Sequence, residues 1–415
     1  MEQENWGWVS QSADNIVTLE RCGAMNNLSF RYLGESAKKY LKKTWKALPI
    51  AVRELPLKYL CMLLLGNRQY VRPQADTPVY ILGNFQAVGG ISRSAQLYAS
   101  QMRQKGQQCI CVDTTREMLQ VVKNVVLDDS LRSLEDIRDD SGSGTVIVHL
   151  NPPQFLWLLC QLRMKFLQNK HVIAYWAWEL EDIPALWKFA LQFADAVEVP
   201  SSFTQRAVAR NTHKNVVVQP HVVPVPNLVK QTFAHDGILR CLLVFDMDSF
   251  CSRKNPQATI AAFLRAFPPG EASLTIKVSH VEAHMAEWQD LQALAAPHEH
   301  IHFIVDWMDD VALSRLFLQH DVYISLHRSE GYGLTIREAM LYGLYVVATG
   351  WSGNTDFMQG ERVFAVPYAL IPVRDSCRFF AHIPNARWAE PDIKAASDIL
   401  QAIRRRALGF PPTTQ

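Results

Sequence analysis

From Pro78 to Gly350 the sequence repeats one pattern, in which a short apolar run is followed by a longer stretch with helical spacing. The runs "PVYILG", "GTVIVH" and "HVIAYW" belong to a first series, and "LRCLLVFD", "DVYISL" and "YVVAT" belong to a second. Strands that alternate with helices of ten or more residues form parallel sheets with crossover helices. This alternation restricts the fold class to α/β.

A proline-punctuated segment, Pro220–Pro226, separates the two series of strands. A chain of 415 residues is also longer than one ordinary domain. We therefore predict two doubly wound, Rossmann-like domains, at residues 76–230 and 238–400, that face a cleft, with a tail at 401–415. In sheets of this kind the ligands bind beyond the carboxyl ends of the strands.

The first 75 residues form a basic segment that differs from the rest of the chain. Between Arg31 and Arg72 there are ten Lys and Arg residues and two Glu residues. The stretches "AKKYLKKTWKAL" and "LPLKYLCMLLLG" predict two basic amphipathic helices in this N-terminal extension, residues 1–75. Residues 31–72 either dock on an anionic membrane surface or pack on the body of the protein, and the sequence leaves both interpretations open.

Composition excludes several classes of partner. The formal net charge of only +2 gives no reason to expect a nucleic acid. The eight cysteines form no C-x-x-C pair, and no His spacing indicates a zinc site, so we expect no metal. The N-terminus does not resemble a signal peptide, and no apolar run approaches the ~18 residues of a membrane span. We expect a cytoplasmic protein, with peripheral attachment to the inner face of the membrane as an open alternative.

The stretch "SEGYGLTIREAMLYG" carries two glutamates eight positions apart, directly after a predicted strand. Glu330 lies in the strand-to-helix loop, where Gly331 and Gly333 allow a sharp turn and the close approach of a ligand. The helix is expected to begin near Leu334, and a helix N-terminus favours a phosphate. Glu338, in its early turns, can accept hydrogen bonds from the vicinal hydroxyls of a ribose. Alternatively, both carboxylates merely complement the helix dipole.

A second loop in the same predicted domain, "SFCSRKNP", carries two cations at a strand end. Arg253 and Lys254 lie just before a helix for which Asn255 is the expected N-cap and Pro256 the first residue. Arg offers a planar fork and Lys a point charge, so this pair suits a diphosphate. A solvated pair of loop charges is the alternative. A third loop, "TGWSGNTDF", follows the predicted strand "YVVATG" and is also rich in glycine. Coincidence is a weak explanation for three neighbouring strand ends that all suit an anion.

These stretches resemble a known family. "HRSEGYGLTIREAMLYG" together with "VVATGWSGNTDFM" resembles the donor-site signature of retaining GT-B glycosyltransferases, the large family-4 group, whose hallmark is Glu-x7-Glu. "SFCSRKNP" resembles the diphosphate loop of that group, and "GNFQAVGGISR" resembles its N-terminal Gly-Gly loop. "AYWAWELEDIPALW" resembles members that build bacterial polysaccharides. The resemblance covers residues 78 to 399.

The resemblance implies a role for each matching residue. Arg253 and Lys254 would hold the donor diphosphate, Glu338 would bind the ribose, and Glu330 and His149 would contact the transferred sugar. A histidine at a strand end is also commonly structural, so both interpretations of His149 stay open. The residues implied at the catalytic and donor-binding site are Gly89, Gly90, His149, Arg253, Lys254, Glu330, Gly331, Tyr332, Gly333, Leu334 and Glu338.

The implied activity is the transfer of a sugar, with retention, from a nucleotide-sugar to a hydroxyl of a glycan or lipid-linked glycan, in cell-surface polysaccharide synthesis. No cofactor is implied. The "DMD" at 246–248 resembles the metal-binding Asp-x-Asp of another glycosyltransferase fold, but its context differs and the diphosphate already has cations, so no metal requirement is expected. Two alternatives remain: a degenerate nucleotide-binding or scaffold protein on the same fold, and a sugar-nucleotide epimerase.

Overall fold

The computed structural model describes residues 50–118, 120, 131–233, 236–305, 307–374, 380 and 383–409. The first predicted helix of the extension, "AKKYLKKTWKAL", lies outside the described residues. The chain divides into two compact units, and the division falls between Val223 and Pro224.

The alternation of strands and helices predicted from the sequence is confirmed along both units. The strands are β1 Val79–Gly83, β2 Ile110–Asp113, β3 Gly144–His149, β4 Lys170–Tyr175, β5 Ala196–Val199, β6 Val216–Val218, β7 Leu239–Asp246, β8 Ala272–Ser279, β9 Ile301–Ile304, β10 Val322–Ser325, β11 Tyr345–Thr349, β12 Val363–Val366, β13 Tyr368–Pro372 and β14 Arg387–Pro391. The α-helices are α1 Ile50–Leu65, α2 Gly90–Gln104, α3 Leu134–Ile137, α4 Gln154–Leu167, α5 Ala185–Ala190, α6 Ser202–Ala209, α7 Cys251–Lys254, α8 Pro256–Ala266, α9 Met285–Ala295, α10 Asp310–Gln319, α11 Leu334–Leu341 and α12 Ile393–Ala407. Single 3-10 turns lie at Leu191–Phe193, Met247–Ser249, Val281–Ala283 and Gly353–Asp356.

The sheet of the first unit contains six parallel strands in the order β2-β1-β3-β4-β5-β6. All five residues of β1 are buried, because helices cover both faces of a doubly wound sheet. The order of strands reverses between β1 and β3. At such a switch point the loops that leave the two strands diverge and open a crevice for a ligand.

The second unit contains six parallel strands in the order β12-β11-β10-β7-β8-β9. Its switch point lies between β7 and β10. The antiparallel pair β13 and β14 forms a separate two-stranded sheet. The last helix, α12, runs beyond residue 400, where the sequence analysis placed the end of the domain.

The core of the second unit lies on both faces of its sheet. Leu239, Cys241 and Leu243 of β7 point into one apolar cluster, and Leu242 between them points into the opposite cluster. This alternation, with both faces buried, explains why residues 241–245 of β7 form an unbroken apolar run.

Special backbone conformations set the ends of the two helices predicted near the candidate site. Pro256 begins α8, as predicted, and Asn255 is its N-cap residue in a left-handed conformation. The Asn255 side chain makes no capping hydrogen bond within the part of the chain that the structure describes. Gly333, with φ of 96°, precedes α11, and Gly343, with φ of 80°, follows it. The predicted start near Leu334 and the predicted stop at Gly343 are confirmed.

The second predicted helix of the extension is α1, which packs on α4 of the first unit. Leu57, Cys61 and Leu65 are buried on one side of α1, and the Sγ atoms of Cys61 and Cys160 lie 3.4 Å apart. The predicted helix is therefore confirmed. Its packing shows that the described part of the extension joins the body of the first unit.

The outward face of α1 is apolar rather than basic. Six of its described large apolar residues are at least two-fifths exposed: Val52, Leu55, Tyr59, Met62, Leu63 and Leu64. Lys58 is instead paired with Glu54 at 2.9 Å, and both side chains are largely buried. Arg68, one of the ten basic residues of the segment, is buried in an ion pair with Asp195. The described helices include none that is long and apolar enough to cross a membrane.

Candidate active site

The loops that leave β7 and β10 meet at the switch point of the second unit. The β7 loop carries Arg253 and Lys254 on the short helix α7, and the β10 loop carries Glu330. Lys254 Nζ lies 2.5 Å from Glu330 Oε1, and Arg253 Nη1 lies 3.3 Å from Glu330 Oε2. Three residues singled out separately from the sequence are thus one ion-paired cluster, although their pairing was not predicted.

Arg253 is fixed by backbone acceptors on both loops. Its Nε donates to the carbonyl of Ser249 at 3.1 Å, and its Nη1 donates to the carbonyl of Ser329 at 2.8 Å. The side chain is 5% exposed. The guanidinium is therefore held in one position before any ligand arrives, which is the condition for an efficient anion site.

Glu330 is a buried carboxylate that stays ionised. Burial alone would raise its pKa, but the charges of Lys254 and Arg253 outweigh this effect and lower the pKa to about 2. The Glu330 N–H donates to Ser352 Oγ at 2.7 Å. Its carbonyl accepts from the Gly353 N–H at 2.9 Å. Both ends of the residue are thereby fixed by the loop that follows β11.

A buried histidine, which the sequence analysis did not single out, supports this arrangement. His327 Nε2 lies 3.0 Å from Asn354 Oδ1, and its Nδ1 lies 3.1 Å from Ser325 Oγ. Burial lowers the pKa of His327, so the ring is neutral at neutral pH. The amide of Asn354 in turn donates to the Thr349 carbonyl at 2.9 Å. Asn354 lies in the glycine-rich loop "TGWSGNTDF", which was singled out from the sequence, but its contact with His327 was not predicted.

Arg328 of the β10 loop contacts both α7 and β14, and its role was not predicted from the sequence. Its guanidinium donates to both carboxylate oxygens of Glu390, at 2.6 and 3.1 Å, and to the Ser252 carbonyl at 2.6 Å. Glu390 lies on β14, 62 positions away in the chain. No local pattern predicts a pair formed across that separation. The bidentate pair with Glu390 fixes the Arg328 side chain. The hydrogen bond of Arg328 to the Ser252 carbonyl then holds α7, and hence Arg253 and Lys254, against the β10 loop.

The N-terminus of α11 lies in the same β10 loop. At Gly333 a Cβ atom would lie 3.1 Å from Ile336 Cδ1 and 3.3 Å from Asn354 Cβ, so the close packing as well as the positive φ requires glycine. Within the described chain no side chain caps this helix. Its first backbone N–H groups therefore remain suited to an anion.

Glu338 and Tyr332 occupy different environments on either side of that N-terminus. Glu338 is partly exposed on α11. Burial and the nearby charges of Glu330 and Glu338 raise the pKa of Tyr323, whose hydroxyl donates to Thr335 Oγ1 at 2.7 Å. Both predicted carboxylates, Glu330 and Glu338, thus lie near the buried Tyr323.

Tyr332 is 7% exposed and packs on Phe357, with 4.9 Å between ring centroids, so its ring is part of the core.

In the first unit, the predicted residues also lie at a switch point. Gly89 and Gly90 follow β1, and His149 ends β3. Gly89 has φ of 141°, which favours glycine, and a Cβ at either glycine would meet nothing within 4 Å. The space beside these backbones is consistent with the predicted approach of a ligand.

His149 itself is buried, with 1% of its surface exposed. Its ring stacks on Tyr175 at 4.3 Å, and its Nδ1 lies 3.3 Å from Ser94 Oγ. Its Nε2 has no hydrogen-bond partner among the described residues. Burial lowers the pKa of His149 well below its usual range. This environment agrees with the structural interpretation, and the predicted sugar contact stays a prediction.

Comparisons with known proteins connect this geometry to a family. Residues 249–385 match the family model described as "Glycosyl transferases group 1". The matched region lies in the second unit and includes Arg253, Lys254, Glu330 and Glu338. No curated protein matches the sequence.

Several solved structures share the architecture. HepE of Anabaena, in complex with UDP-glucose, is 14% identical, with a TM-score of 0.51 over 80% of this chain and 95% of that one. The pneumococcal O-GlcNAc transferase GtfA, in complex with UDP and GlcNAc, is 11% identical, with a TM-score of 0.50 over 81% and 96%. The lipopolysaccharide outer core galactosyltransferase WaaB, in its apo form, is 13% identical, with a TM-score of 0.50 over 68% and 84%. The two parallel-sheet α/β units are those of the GT-B glycosyltransferase fold, and the predicted fold class is confirmed.

Proposed function

We propose that this protein is a retaining glycosyltransferase, which moves a sugar from a nucleoside diphosphate sugar to a hydroxyl group of an acceptor. The observation that carries the proposal is the convergence of Arg253, Lys254 and Glu330 at the switch point between β7 and β10. Two fixed cations beside an uncapped helix N-terminus suit the diphosphate of such a donor. The family match over residues 249–385 supports the same activity.

The ionised carboxylate of Glu330 pairs with both Arg253 and Lys254. When a donor diphosphate binds, Arg253 and Lys254 share their hydrogen bonds between its oxygens and the carboxylate. Glu330 then faces the transferred sugar and supports the positive charge that develops on it. Glu338, more exposed on α11, accepts hydrogen bonds from the ribose hydroxyls. For Gly89, Gly90 and His149 of the first unit, contact with the donor is a proposal from the resemblance alone.

The reaction breaks the bond between the anomeric carbon and the diphosphate oxygen and forms a bond to the acceptor oxygen on the same face of the sugar. The acceptor proton passes to the leaving phosphate. Arg253, Lys254 and the first amides of α11 stabilise the charge on that leaving group. Because these groups neutralise the diphosphate, no metal or other cofactor is required for transfer.

We propose a UDP-hexose as the donor. HepE was solved with UDP-glucose, and GtfA was solved with UDP and GlcNAc. A glycan or lipid-linked glycan of cell-surface polysaccharide synthesis is the proposed acceptor, in line with the outer core of lipopolysaccharide named for WaaB. The proposed location is the cytoplasm, at the inner face of the membrane.

The test is a transfer assay in which the product is followed by NMR. Wild-type protein is mixed with UDP-glucose, UDP-galactose or UDP-N-acetylglucosamine and a panel of lipid-linked glycan acceptors, in excess chelator. We expect one donor to yield a glycoside with the anomeric configuration of the donor. An inverted product, or loss of activity in chelator, contradicts the mechanism. Conversion of the donor without any acceptor identifies an epimerase, and no reaction with bound nucleotide identifies a degenerate scaffold.

The exposed face of α1 supports the proposed attachment to the membrane. It places leucine, methionine and tyrosine side chains at the surface in a segment that carries ten basic and two acidic residues. Apolar burial and attraction to anionic lipids together drive interfacial binding.

A flotation assay with full-length protein tests this attachment. We expect binding to vesicles that contain phosphatidylglycerol, and a loss of at least tenfold when Leu55→Glu and Leu63→Glu are combined. The matched control is Val311→Glu, which adds a charge at an exposed apolar residue of the second unit, 58% exposed. Equal flotation of all three proteins contradicts the role of α1.

A further inference from the structure

Next to the proposed donor site, a group of potential metal ligands lies one strand further along the sheet. Asp246 is the last residue of β7, and Asp248 lies in the 3-10 turn that follows it. His280 directly follows β8, and His284 directly precedes α9. Parallel pairing brings the ends of the two strands together, with Asp246 opposite Ser279. Two short loops therefore deliver all four side chains to one edge of the sheet.

The ligand atoms of the first three side chains lie close to one another. His280 Nδ1 lies 2.9 Å from each carboxylate oxygen of Asp246 and 4.0 Å from Asp248 Oδ2. One ligand atom from each of Asp246, Asp248 and His280 lies within 4.8 Å of the others. With metal–ligand bonds of about 2.1 Å, the ligands of a tetrahedral ion lie about 3.4 Å apart. The separations of 2.9 and 4.0 Å from His280 Nδ1 lie on either side of that spacing.

We propose that Asp246, Asp248 and His280 bind a divalent transition-metal ion of the Zn²⁺ class. One imidazole nitrogen and two carboxylates form a mixed N/O set, which suits zinc and its neighbours, whereas all-oxygen sites suit Mg²⁺ and Ca²⁺. Asp248 is 43% exposed and His280 37%, so an ion and its remaining water ligands can reach the point between them.

His284 and Glu287 orient the exposed carboxylate. His284 Nε2 lies 2.9 Å from Asp248 Oδ1, and its Nδ1 lies 3.4 Å from Glu287 Oε2. The His284 side chain is only 3% exposed, so the ring is held by packing as well as by hydrogen bonds. Partners beyond the ligands of a metal commonly fix the ligand carboxylates in this way. In this arrangement His284 is a positioning residue.

The proposed ion links the loop after β7 to the loop after β8, and it does not neutralise the diphosphate. Arg253 and Lys254 approach Glu330 on the β10 side of β7, whereas the metal group lies on the β8 side. The turn that contains Asp248 leads directly into α7, which carries both cations. Fixing Asp248 to His280 therefore stabilises the segment from which α7 begins. This proposal revises the expectation that the protein binds no metal. Because Arg328 also holds α7 through the Ser252 carbonyl, we still expect transfer to persist when the ion is removed.

The test is titration of ZnCl₂ into chelator-stripped, full-length protein, followed by calorimetry. Asp248→Asn and His280→Asn remove one ligand each, and asparagine tolerates the left-handed conformation of residue 280, where φ is 57°. The matched control is His302→Asn, which removes an exposed histidine on β9, outside the group. We expect one Zn²⁺ per chain, binding weakened at least tenfold in the first two variants and unchanged in the control.

A thermal measurement on the same four proteins separates a metal site from a simple network of ion pairs. We expect Zn²⁺ to raise the melting temperature of the wild type and the control, and to leave both ligand variants unchanged. Mg²⁺ at the same concentration should have no such effect. Absence of Zn²⁺ binding to the wild type, or equal binding in all four proteins, overturns the proposal. Neither result depends on whether the protein transfers sugar.

Discussion

At the scale of single residues, the candidate site depends on one buried carboxylate between two cations. Glu330 is 10% exposed, and its partners Arg253 and Lys254 are 5% and 17% exposed. Removing one partner of a buried pair leaves a buried charge without compensation, which is strongly destabilising. Variants that keep the shape of the side chain, such as Glu330→Gln, therefore test its role better than truncation to alanine.

The pH dependence of stability provides a test of this cluster. The pKa of Glu330 is about 2 in the folded protein, below its ordinary value of 4.5. As pH falls, the unfolded chain binds this proton first. The stability that Glu330 contributes is therefore present above about pH 4.5 and lost between there and about pH 2.

We expect the free energy of unfolding to fall by about 2 kcal/mol more in the wild type than in Glu330→Gln between pH 5 and pH 3. Urea unfolding at both pH values measures this difference. Asp398→Asn is the matched control, because Asp398 forms an exposed pair with Lys394, and it should follow the wild type. Parallel changes in the wild type and Glu330→Gln would show that the cluster does not lower this pKa.

At the scale of elements, the start of α11 depends on one glycine. Gly333→Ala places a Cβ against Ile336 and Asn354 at a φ of 96°. We expect a loss of about 1–2 kcal/mol, since a side chain is strained in the left-handed region. Urea unfolding measures this loss.

The control for that substitution is Gly90→Ala at the start of α2. A Cβ there meets nothing within 4 Å, and alanine is favoured over glycine in a helix by up to about 1 kcal/mol. We expect Gly90→Ala to keep or increase stability. If both variants lose the same free energy, the packing around Gly333 is not what holds the start of α11.

Local patterns in the sequence predicted the elements well and their partners poorly. The start of α11 and its stop at Gly343 follow from glycine chemistry, which is local. The pair between Arg328 and Glu390 and the contact between His327 and Asn354 form across the tertiary structure, so no local pattern specifies them. The helix α1 was predicted as basic and amphipathic, yet it exposes leucines and partly buries Lys58. Which face of a helix packs depends on the surface it meets, here α4.

At the scale of the whole molecule, the two units share the same sheet topology. Each has a six-stranded parallel sheet with one reversal of strand order, and each gathers its predicted residues at that reversal. Strand order is decided by long-range pairing, so the sequence could indicate only that the loops lie at carboxyl ends. The order β10-β7-β8 brought Glu330 to Arg253 on one side of β7, and His280 to Asp246 on the other.

The most direct test of the central claim is calorimetric titration of UDP, GDP, ADP and dTDP into full-length wild-type protein and Arg253→Ala. We predict that UDP binds and that the variant binds it at least 100-fold more weakly, as expected for the loss of a fixed cation. Lys394→Ala, which removes an exposed cation of the second unit, should bind as the wild type does. If none of the four nucleotides binds, or if UDP binds equally to Arg253→Ala, the switch point between β7 and β10 is not the donor site.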